Sequence, residues 1–147
     1  YFLRGSYSLK TARNIYASVI TTPNAEEWLA QNLKTLTENY DTTAIMAMPY
    51  MENEQPISQK EAYQWFASLI ENVKAQAPLD KVLFEFQAVN WRTQKPIPES
   101  ELIDWMTLLQ KNHIYSYGYY PDNFLTNQPD MNKMKPYFSV NTNAGKK

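Results

Sequence analysis

Residues 81–89 read KVLFEFQAV, a short run rich in β-branched and aromatic residues that is typical of a buried strand. Pro96 and Pro98 follow it and are suited to the start of a helix. Apolar residues then recur at helical spacing, namely Leu102, Trp105, Met106 and Leu109. The segment therefore predicts one strand followed by one amphipathic helix.

The same pattern surrounds this segment on both sides. Three other runs predict buried strands: Arg13–Val19, Thr43–Met48 and Ile114–Tyr120. After the first of them, Asn24 is placed to cap a helix. Its buried stripe is expected to hold Leu29, Leu33, Leu36 and Tyr40.

The helix expected after the second run carries the firmest start signal in the chain. Ser58 and Glu61 have the spacing of a capping box. The buried stripe of this helix is expected to hold Ala62, Trp65, Phe66, Leu69, Ile70 and Val73. After the fourth strand we expect only a weak turn around 130–134 and a polar tail at 143–147.

Strands that alternate with single helices imply an α/β fold with parallel strands and right-handed crossovers. A doubly wound sheet and a barrel both satisfy that pattern. Only Gly5, Gly118 and Gly145 are glycine, so no glycine-rich phosphate loop exists and nucleotide binding is disfavoured. A complete (β/α)8 barrel needs roughly 200 residues or more, and 147 residues supply about four of its β/α units.

Composition narrows the function further. The net charge of −1 provides no field that would attract nucleic acid, and the absence of Cys excludes disulfides and thiolate metal sites. Aromatic residues make up 14% of the chain, with 11 Tyr and 4 Trp. Flat aromatic faces beside neutral hydrogen-bonding groups suit sugars. The chain starts Tyr1-Phe2-Leu3 without a Met or a leader pattern, and we interpret it as a fragment of a longer protein.

Ligands of such folds bind at the carboxyl ends of the strands, so the residues just after each strand are the candidates. These segments combine aromatic residues with carboxylates and carboxamides, which together stack on a pyranose and bind its hydroxyls. The substrate-binding candidates are Tyr50, Glu52, Gln87, Asn90, Trp91, Tyr120 and Asp122.

Two more candidates come from position. Glu85 lies on the same strand face as Gln87 within an apolar strand, where a carboxylate is either functional or paired in a salt bridge inside the barrel. Trp28 falls in the first turn of the helix expected after the first strand. Its side chain is expected either to stack on a ligand or to cover the rim of the barrel. Trp65 and Trp105 lie in helical stripes and are expected in the core.

The sequence predicts no metal site. His113 is the only histidine, and it precedes its strand, at the end away from the expected ligand.

Five motifs in order carry a family resemblance: Ala12–Ala17 (ARNIYA), Glu27–Asn32 (EWLAQN), Ala47–Glu52 (AMPYME), Gln87–Trp91 (QAVNW) and Gly118–Phe124 (GYYPDNF), the last running on to Asn127-Gln128-Pro129. Together they resemble the C-terminal domain of bacterial poly-β-1,6-N-acetylglucosamine N-deacetylases of biofilm exopolysaccharide export. The resemblance implies that residues 1–147 are the C-terminal half of a glycoside-hydrolase-like (β/α)8 barrel, with the upstream strands and the deacetylase domain absent.

The resemblance also implies a function. The domain is expected to bind and endo-hydrolyse partially deacetylated poly-β-1,6-N-acetylglucosamine, with Trp28 and Trp91 matching groove tryptophans of the family. It implies no catalytic residue in this chain, because the acid assigned to cleavage lies on an earlier strand. It implies no cofactor here either, because the divalent metal belongs to the deacetylase domain.

The expected partners are the polymer, the other half of the barrel, the deacetylase domain and an outer-membrane export porin. The expected location is the periplasm, in association with the outer membrane. Two other functions stay open on the sequence: a non-catalytic glycan-binding module that guides the polymer, and a small interaction domain unrelated to sugars.

Overall fold

The computed structural model describes residues 9–138. Its strands are β1 (Ala12–Tyr16), β2 (Thr42–Met46), β3 (Val82–Gln87), β4 (Val89–Asn90), β5 (Lys95–Pro96) and β6 (Tyr117–Tyr120). Its helices are α1 (Ala17–Thr21), α2 (Ala25–Leu29), α3 (Leu33–Asn39), α4 (Pro49–Glu52), α5 (Gln59–Gln76), α6 (Glu99–Lys111) and α7 (Met131–Phe138), and a 3-10 turn spans Leu79–Lys81. None of the described helices is both long and apolar enough to cross a membrane.

Four strands form one parallel sheet in the order β1-β2-β3-β6, and β4 and β5 form a separate antiparallel pair. One register row runs from Ile15 through Ile45 and Phe84 to Tyr117. The first three of these side chains are fully buried beneath the helices. This face of the sheet therefore carries the core.

Aromatic rings of α5 and α6 cover that face. Phe66 lies 6.1 Å from Phe84 between ring centroids, and its ring stacks on Trp105 at 5.4 Å. Trp105 in turn meets Phe86 edge to face at 5.8 Å. Both Trp105 and Phe66 are fully buried, as the helical spacing of the sequence predicts for α5 and α6.

The opposite face of the sheet is open among the described residues. Its register row runs from Tyr16 through Met46 and Glu85 to Gly118, because successive side chains of a strand point to opposite faces. Tyr16 is 43% exposed, and a Cβ added at Gly118 would meet nothing within 4 Å. Helices on one face only are the arrangement of barrel β/α units, not of a doubly wound sheet.

The fold class predicted from the sequence is confirmed: four parallel β/α units follow one another, and the sheet does not close within residues 9–138. The capping box is also confirmed, since Ser58 Oγ accepts from Glu61 N and the Glu61 carboxylate accepts from Ser58 N. This arrangement satisfies two backbone donors at the start of α5.

The single helix predicted after β1 is wrong. It is divided into α2 and α3 because Ala30 adopts a left-handed conformation (φ 50°), while Asn32 caps α3 by accepting from Thr35 N at 2.9 Å. Asn24 makes no side-chain cap. The break turns Leu29 out of the stripe, leaving it 39% exposed while Leu33 is buried.

Four smaller predictions also need correction. The first strand ends at Tyr16 because the backbone turns into α1, and the last begins only at Tyr117. Trp65 is partly buried at the margin of the core, not inside it. The turn predicted at 130–134 is the beginning of α7, where Asp130 Oδ1 accepts from Asn132 N. The predicted polar tail lies outside the described residues.

Candidate functional site

The carboxyl ends of the four parallel strands lie along one edge of the sheet, which we call the carboxyl edge. The chain continues from β1 into α1, from β2 into α4, from β3 into the β4–β5 pair and from β6 into the loop 121–130. All predicted site residues except Trp28 and Glu85 lie at or just after these strand ends. The parallel sheet therefore brings these segments to one edge.

Gln87 ties two of these segments together from inside. Its Oε1 accepts from Tyr50 N at 3.0 Å, and its Nε2 donates to Val89 O at 2.8 Å. The side chain is fully buried, and both ends of its amide satisfy backbone groups inside the protein. Gln87, a predicted substrate-binding residue, uses its amide to join the segment after β2 to the segment after β3.

Tyr50 points its hydroxyl away from the sheet edge and into the helix layer. It donates to Glu101 Oε1 at 2.5 Å, and the Tyr50 ring lies 6.4 Å from Trp105. The pKa of Tyr50 is raised well above its ordinary value, mainly by burial and secondly by this hydrogen bond. Burial also raises the pKa of Glu101, which is 3% exposed, and Asp104 adds to the rise while the Tyr50 hydroxyl opposes it.

Arg92 fastens the same turn from the outside. Its Nε donates to Tyr50 O at 3.2 Å, and a second guanidinium nitrogen donates to Asn53 O. Its own backbone N–H donates to Asn90 Oδ1 at 3.0 Å, as does that of Thr93 at 3.3 Å. Asn90, predicted to bind substrate, therefore uses its side-chain oxygen to shape the turn after β4.

We call Tyr50, Gln87, Arg92 and Glu101 the support cluster. Sequence reasoning singled out neither Arg92 nor Glu101 for this purpose. For Glu101 a signal exists, because it lies four residues before Trp105 and helical spacing therefore places it on the buried stripe. A carboxylate on such a stripe needs a partner, and Tyr50 is that partner.

Glu52 connects the ends of β1 and β2. Its carboxylate lies at the start of α1, where hydrogen bonds from Ser18 and from the Ala17 backbone favour its charged form. Burial outweighs them and raises the pKa of Glu52 above its ordinary value. Oε1 is buried and has no hydrogen-bond partner among residues 9–138. An orphaned carboxylate oxygen at a ligand edge is a feature of functional sites.

Trp91 and Tyr120 meet at the surface of the carboxyl edge. Their ring centroids are 6.5 Å apart with planes tilted by 52°. Tyr120 is 58% exposed, Trp91 is partly exposed, and Asp122 two residues later is exposed. Tyr120 O accepts from Ala88 N at 2.8 Å, which fixes the end of β6 beside β3. We call Trp91, Tyr120 and Asp122 the exposed rim.

Trp28 and Glu85 lie apart from that rim. Trp28 is 75% exposed on α2, and no described aromatic ring is in contact with it. Glu85 lies on the open face of the sheet, half-buried, between Met46 and Gly118 in the register. No described residue forms a salt bridge with it.

Within residues 9–138, no group of three His, Cys, Asp or Glu side chains is close enough to hold a metal ion. His113 lies just after α6 with φ 60°, before β6 and therefore at the amino end of the sheet. The described side chains of the carboxyl edge instead offer aromatic faces, carboxylates and a buried hydrogen-bonding frame.

The fold defines a class: part of a (β/α)8-type domain, a fold in which ligands bind at the carboxyl ends of the strands. The family model described as hypothetical glycosyl hydrolase family 13 matches residues 3–120. The chain belongs to this family.

Named relatives agree with that assignment. The poly-beta-1,6-N-acetyl-D-glucosamine N-deacetylases of Escherichia coli strain K12 and of Escherichia coli O157:H7 are each 45% identical to this chain over 143 residues. A solved structure of the PgaB (BpsB) glycoside hydrolase domain from Bordetella bronchiseptica is similar with a TM-score of 0.82 and 36% identity. The resemblance stated from the sequence is thereby confirmed.

The chain spans only part of these proteins. The match covers 94% of this chain but 20% of each Escherichia coli relative. It covers 91% of this chain and 36% of the Bordetella bronchiseptica domain.

Proposed function

We propose that the carboxyl edge is one wall of a groove that binds a β-1,6-linked polymer of glucosamine and N-acetylglucosamine, in a full-length protein that is a polysaccharide N-deacetylase. The domain completed by the other half of the barrel endo-hydrolyses partially deacetylated polymer, and the catalytic acid belongs to that other half. This activity would serve the modification and export of a biofilm polysaccharide.

The observation that carries the proposal is the exposed rim, where Trp91 and Tyr120 present adjoining aromatic surface at the carboxyl edge. Sugar C–H faces stack on aromatic rings. The Escherichia coli relatives are named for an N-acetyl-D-glucosamine polymer, and the Bordetella bronchiseptica structure for a glycoside hydrolase domain. Trp28 offers a second aromatic platform after β1. The support cluster contributes by holding the segments that carry Glu52 and Trp91.

The acidic groups give the groove its charge preference. Asp122 is exposed at the rim, Glu52 has an orphaned oxygen, and Glu85 lies on the face that a barrel would enclose. Deacetylation exposes amines that are cationic near neutral pH, so these carboxylates favour partially deacetylated polymer over the fully acetylated form.

The remaining expectations concern the full-length protein. It is proposed to act in the periplasm in association with the outer membrane and to pass its product to an export porin. The divalent metal needed for deacetylation is expected in the deacetylase domain, and this chain needs no cofactor. Nucleic acid is not an expected partner, because the net charge is −1.

The test uses the full-length protein and partially deacetylated polymer. Trp91→Ala should weaken oligosaccharide binding by about 1 to 3 kcal/mol, as expected for an aromatic anchor. Trp28→Ala should do the same. Tyr115→Ala is the matched control, since Tyr115 is 56% exposed but precedes β6 at the opposite edge of the sheet. Equal affinities for all variants would contradict the proposed groove.

Chromatographic sizing of the polymer separates hydrolysis from guidance. Shortening by the wild type, slowed by Trp91→Ala, supports endo-hydrolysis. Tight binding with no shortening contradicts it and identifies a non-catalytic module that guides the polymer.

A further inference from the structure

A depression of about 370 Å³ lies beside the exposed rim, between the β4–β5 pair and the loop after β6. This volume is at the small end of the range for ligand sites, roughly 300–1,000 Å³. The two lining residues Val89 and Gln94 bracket Trp91 in the sequence, and Pro121 and Asp122 directly follow Tyr120. The depression is therefore continuous with the proposed groove.

Much of its lining is apolar. Val89 and Pro96 contribute from the β4–β5 pair, and Pro121, Phe124 and Leu125 contribute from the loop after β6. Phe124 is 79% exposed and Leu125 is 84% exposed. Two adjacent large apolar side chains with that exposure have little to stabilise them in the described part of the chain, which is typical of a binding surface.

The loop that presents Phe124 and Leu125 is held in one shape. Asn123 and Gln128 exchange two backbone hydrogen bonds of 2.8 and 3.0 Å across it. Asn123 Oδ1 also accepts from Thr126 N at 3.3 Å. A ligand that binds this loop does not have to order it first, so little of the binding free energy is lost.

Two polar side chains of the depression are free to bind a ligand. Asp122 is exposed and Gln128 is half-buried, and neither side chain forms a hydrogen bond or ion pair with a described residue. Asp122 supplies an acceptor, while Gln128 supplies both a donor and an acceptor. The depression therefore pairs a largely apolar lining with one carboxylate and one carboxamide that make no hydrogen bond to a described residue.

We propose that this depression binds the acetamido group of an N-acetylglucosamine unit, an inference that rests on the function proposed above. The methyl group is suited to the apolar lining, with Phe124 as its main contact. The amide carbonyl accepts from Gln128, while Asp122 attracts an amine of a neighbouring deacetylated unit. A polymer that keeps some acetyl groups is then recognised by both its amines and its acetyls.

The experiment measures affinity of the full-length protein for two β-1,6-linked glucosamine oligomers of equal length, one fully acetylated and one fully deacetylated. Phe124→Ala should weaken binding of the acetylated oligomer about tenfold and of the deacetylated one less than about twofold, because one apolar contact to a small group is lost. Tyr115→Ala, an exposed aromatic at the opposite edge, should change neither affinity.

Three outcomes would overturn the inference. An equal loss for both oligomers means that Phe124 contacts sugar rings regardless of acetylation. No loss for either, while Trp91→Ala weakens both, means that the depression lies outside a groove that still exists. If the wild type binds neither oligomer, the proposed function fails, and the inference fails with it.

Discussion

The support cluster and the exposed rim use the same kinds of residue for opposite purposes. Gln87 is fully buried and Tyr50 is partly buried, and the polar groups of both side chains form internal hydrogen bonds. The side chains of Tyr120 and Asp122, at and just after the end of β6, form no hydrogen bond with a described residue. The carboxyl edge therefore has two parts. The support cluster, which we also call the frame, holds the backbone segments in place, and the exposed rim is the surface that these segments present. Substitutions in the frame should change stability, and substitutions in the rim should change binding.

The largest difference between effects on stability and effects on binding is expected between Trp105 and Trp91. Trp105 is fully buried beneath Tyr50, so Trp105→Ala should lower the free energy of unfolding by about 3 to 5 kcal/mol. Urea denaturation measures this directly. Trp91→Ala should leave the same transition almost unchanged while it weakens sugar binding. Wild-type stability of the Trp105→Ala protein would contradict the assignment of Trp105 to the core beneath the support cluster.

Tyr50→Phe removes only the hydroxyl oxygen of Tyr50 and therefore tests its hydrogen bond to Glu101 within the support cluster. The Glu101 carboxylate would lose its donor in a site that is 3% exposed, at a cost of about 1 to 3 kcal/mol in unfolding free energy. Adding Glu101→Leu to Tyr50→Phe removes the second partner and should recover part of the loss. If the double variant is less stable than the sum of both single changes, the pairing is not what Tyr50 contributes.

Glu101→Gln tests the charge of the same pair. Because the pKa of Glu101 is raised, the folded protein binds a proton there more tightly than the unfolded chain does. Its ionisation therefore destabilises the fold at neutral pH, and that penalty disappears as the pH falls through the raised pKa toward the ordinary value of 4.5. Gln keeps an acceptor for Tyr50 and carries no charge.

The variant should thus melt at a higher temperature than the wild type near neutral pH, and the difference should shrink toward acid. Thermal denaturation of both proteins across that range measures the difference. The difference between the two proteins isolates Glu101, since the pKa of Glu52 is also raised. A difference that stays constant with pH would show that Glu101 is not the titrating group.

The smallest effect is expected at the rim. Asp122→Asn should reduce the preference for partially deacetylated over fully acetylated polymer by less than about 1 kcal/mol, because the carboxylate is exposed. The wild-type preference should fall as salt rises, with screening over about 8 Å at physiological ionic strength. Asp80→Asn, an exposed acid in the turn before β3, is the control in the same binding assay. A preference that Asp122→Asn leaves unchanged at low salt would place the selectivity elsewhere.

Sequence periodicity predicted the main strands and helices well. Buried strands need short runs of β-branched and aromatic residues, and helices packed on a sheet need an apolar stripe. The β3 run and the α6 stripe are correct to within a few residues. The break between α2 and α3 was not predictable in the same way. It depends on Ala30 in a left-handed conformation and on a local cap by Asn32, and neither changes the apolar spacing.

The sequence predicted that the segments after the strands lie together at the carboxyl edge, and in the structure they do. It could not distinguish the residues that hold the backbone from those that are exposed at the rim. Gln87 meets Tyr50 from 37 positions away, and Tyr50 meets Glu101 across 51 positions. Such pairings depend on the tertiary structure. Trp91, which follows a strand among polar neighbours, was predicted as a stacking platform, and the structure places it beside Tyr120.

The central claim is that the polymer binds along the carboxyl edge and not elsewhere on the domain. Amide hydrogen exchange of the full-length protein, with and without a partially deacetylated β-1,6-linked glucosamine oligomer, tests it most directly. We expect slower exchange on binding in residues 49–53, 89–93 and 120–125, and unchanged exchange at the opposite edge in 78–81 and 111–116. Protection confined to the opposite edge or to the outer surfaces of α5 and α6 would contradict it.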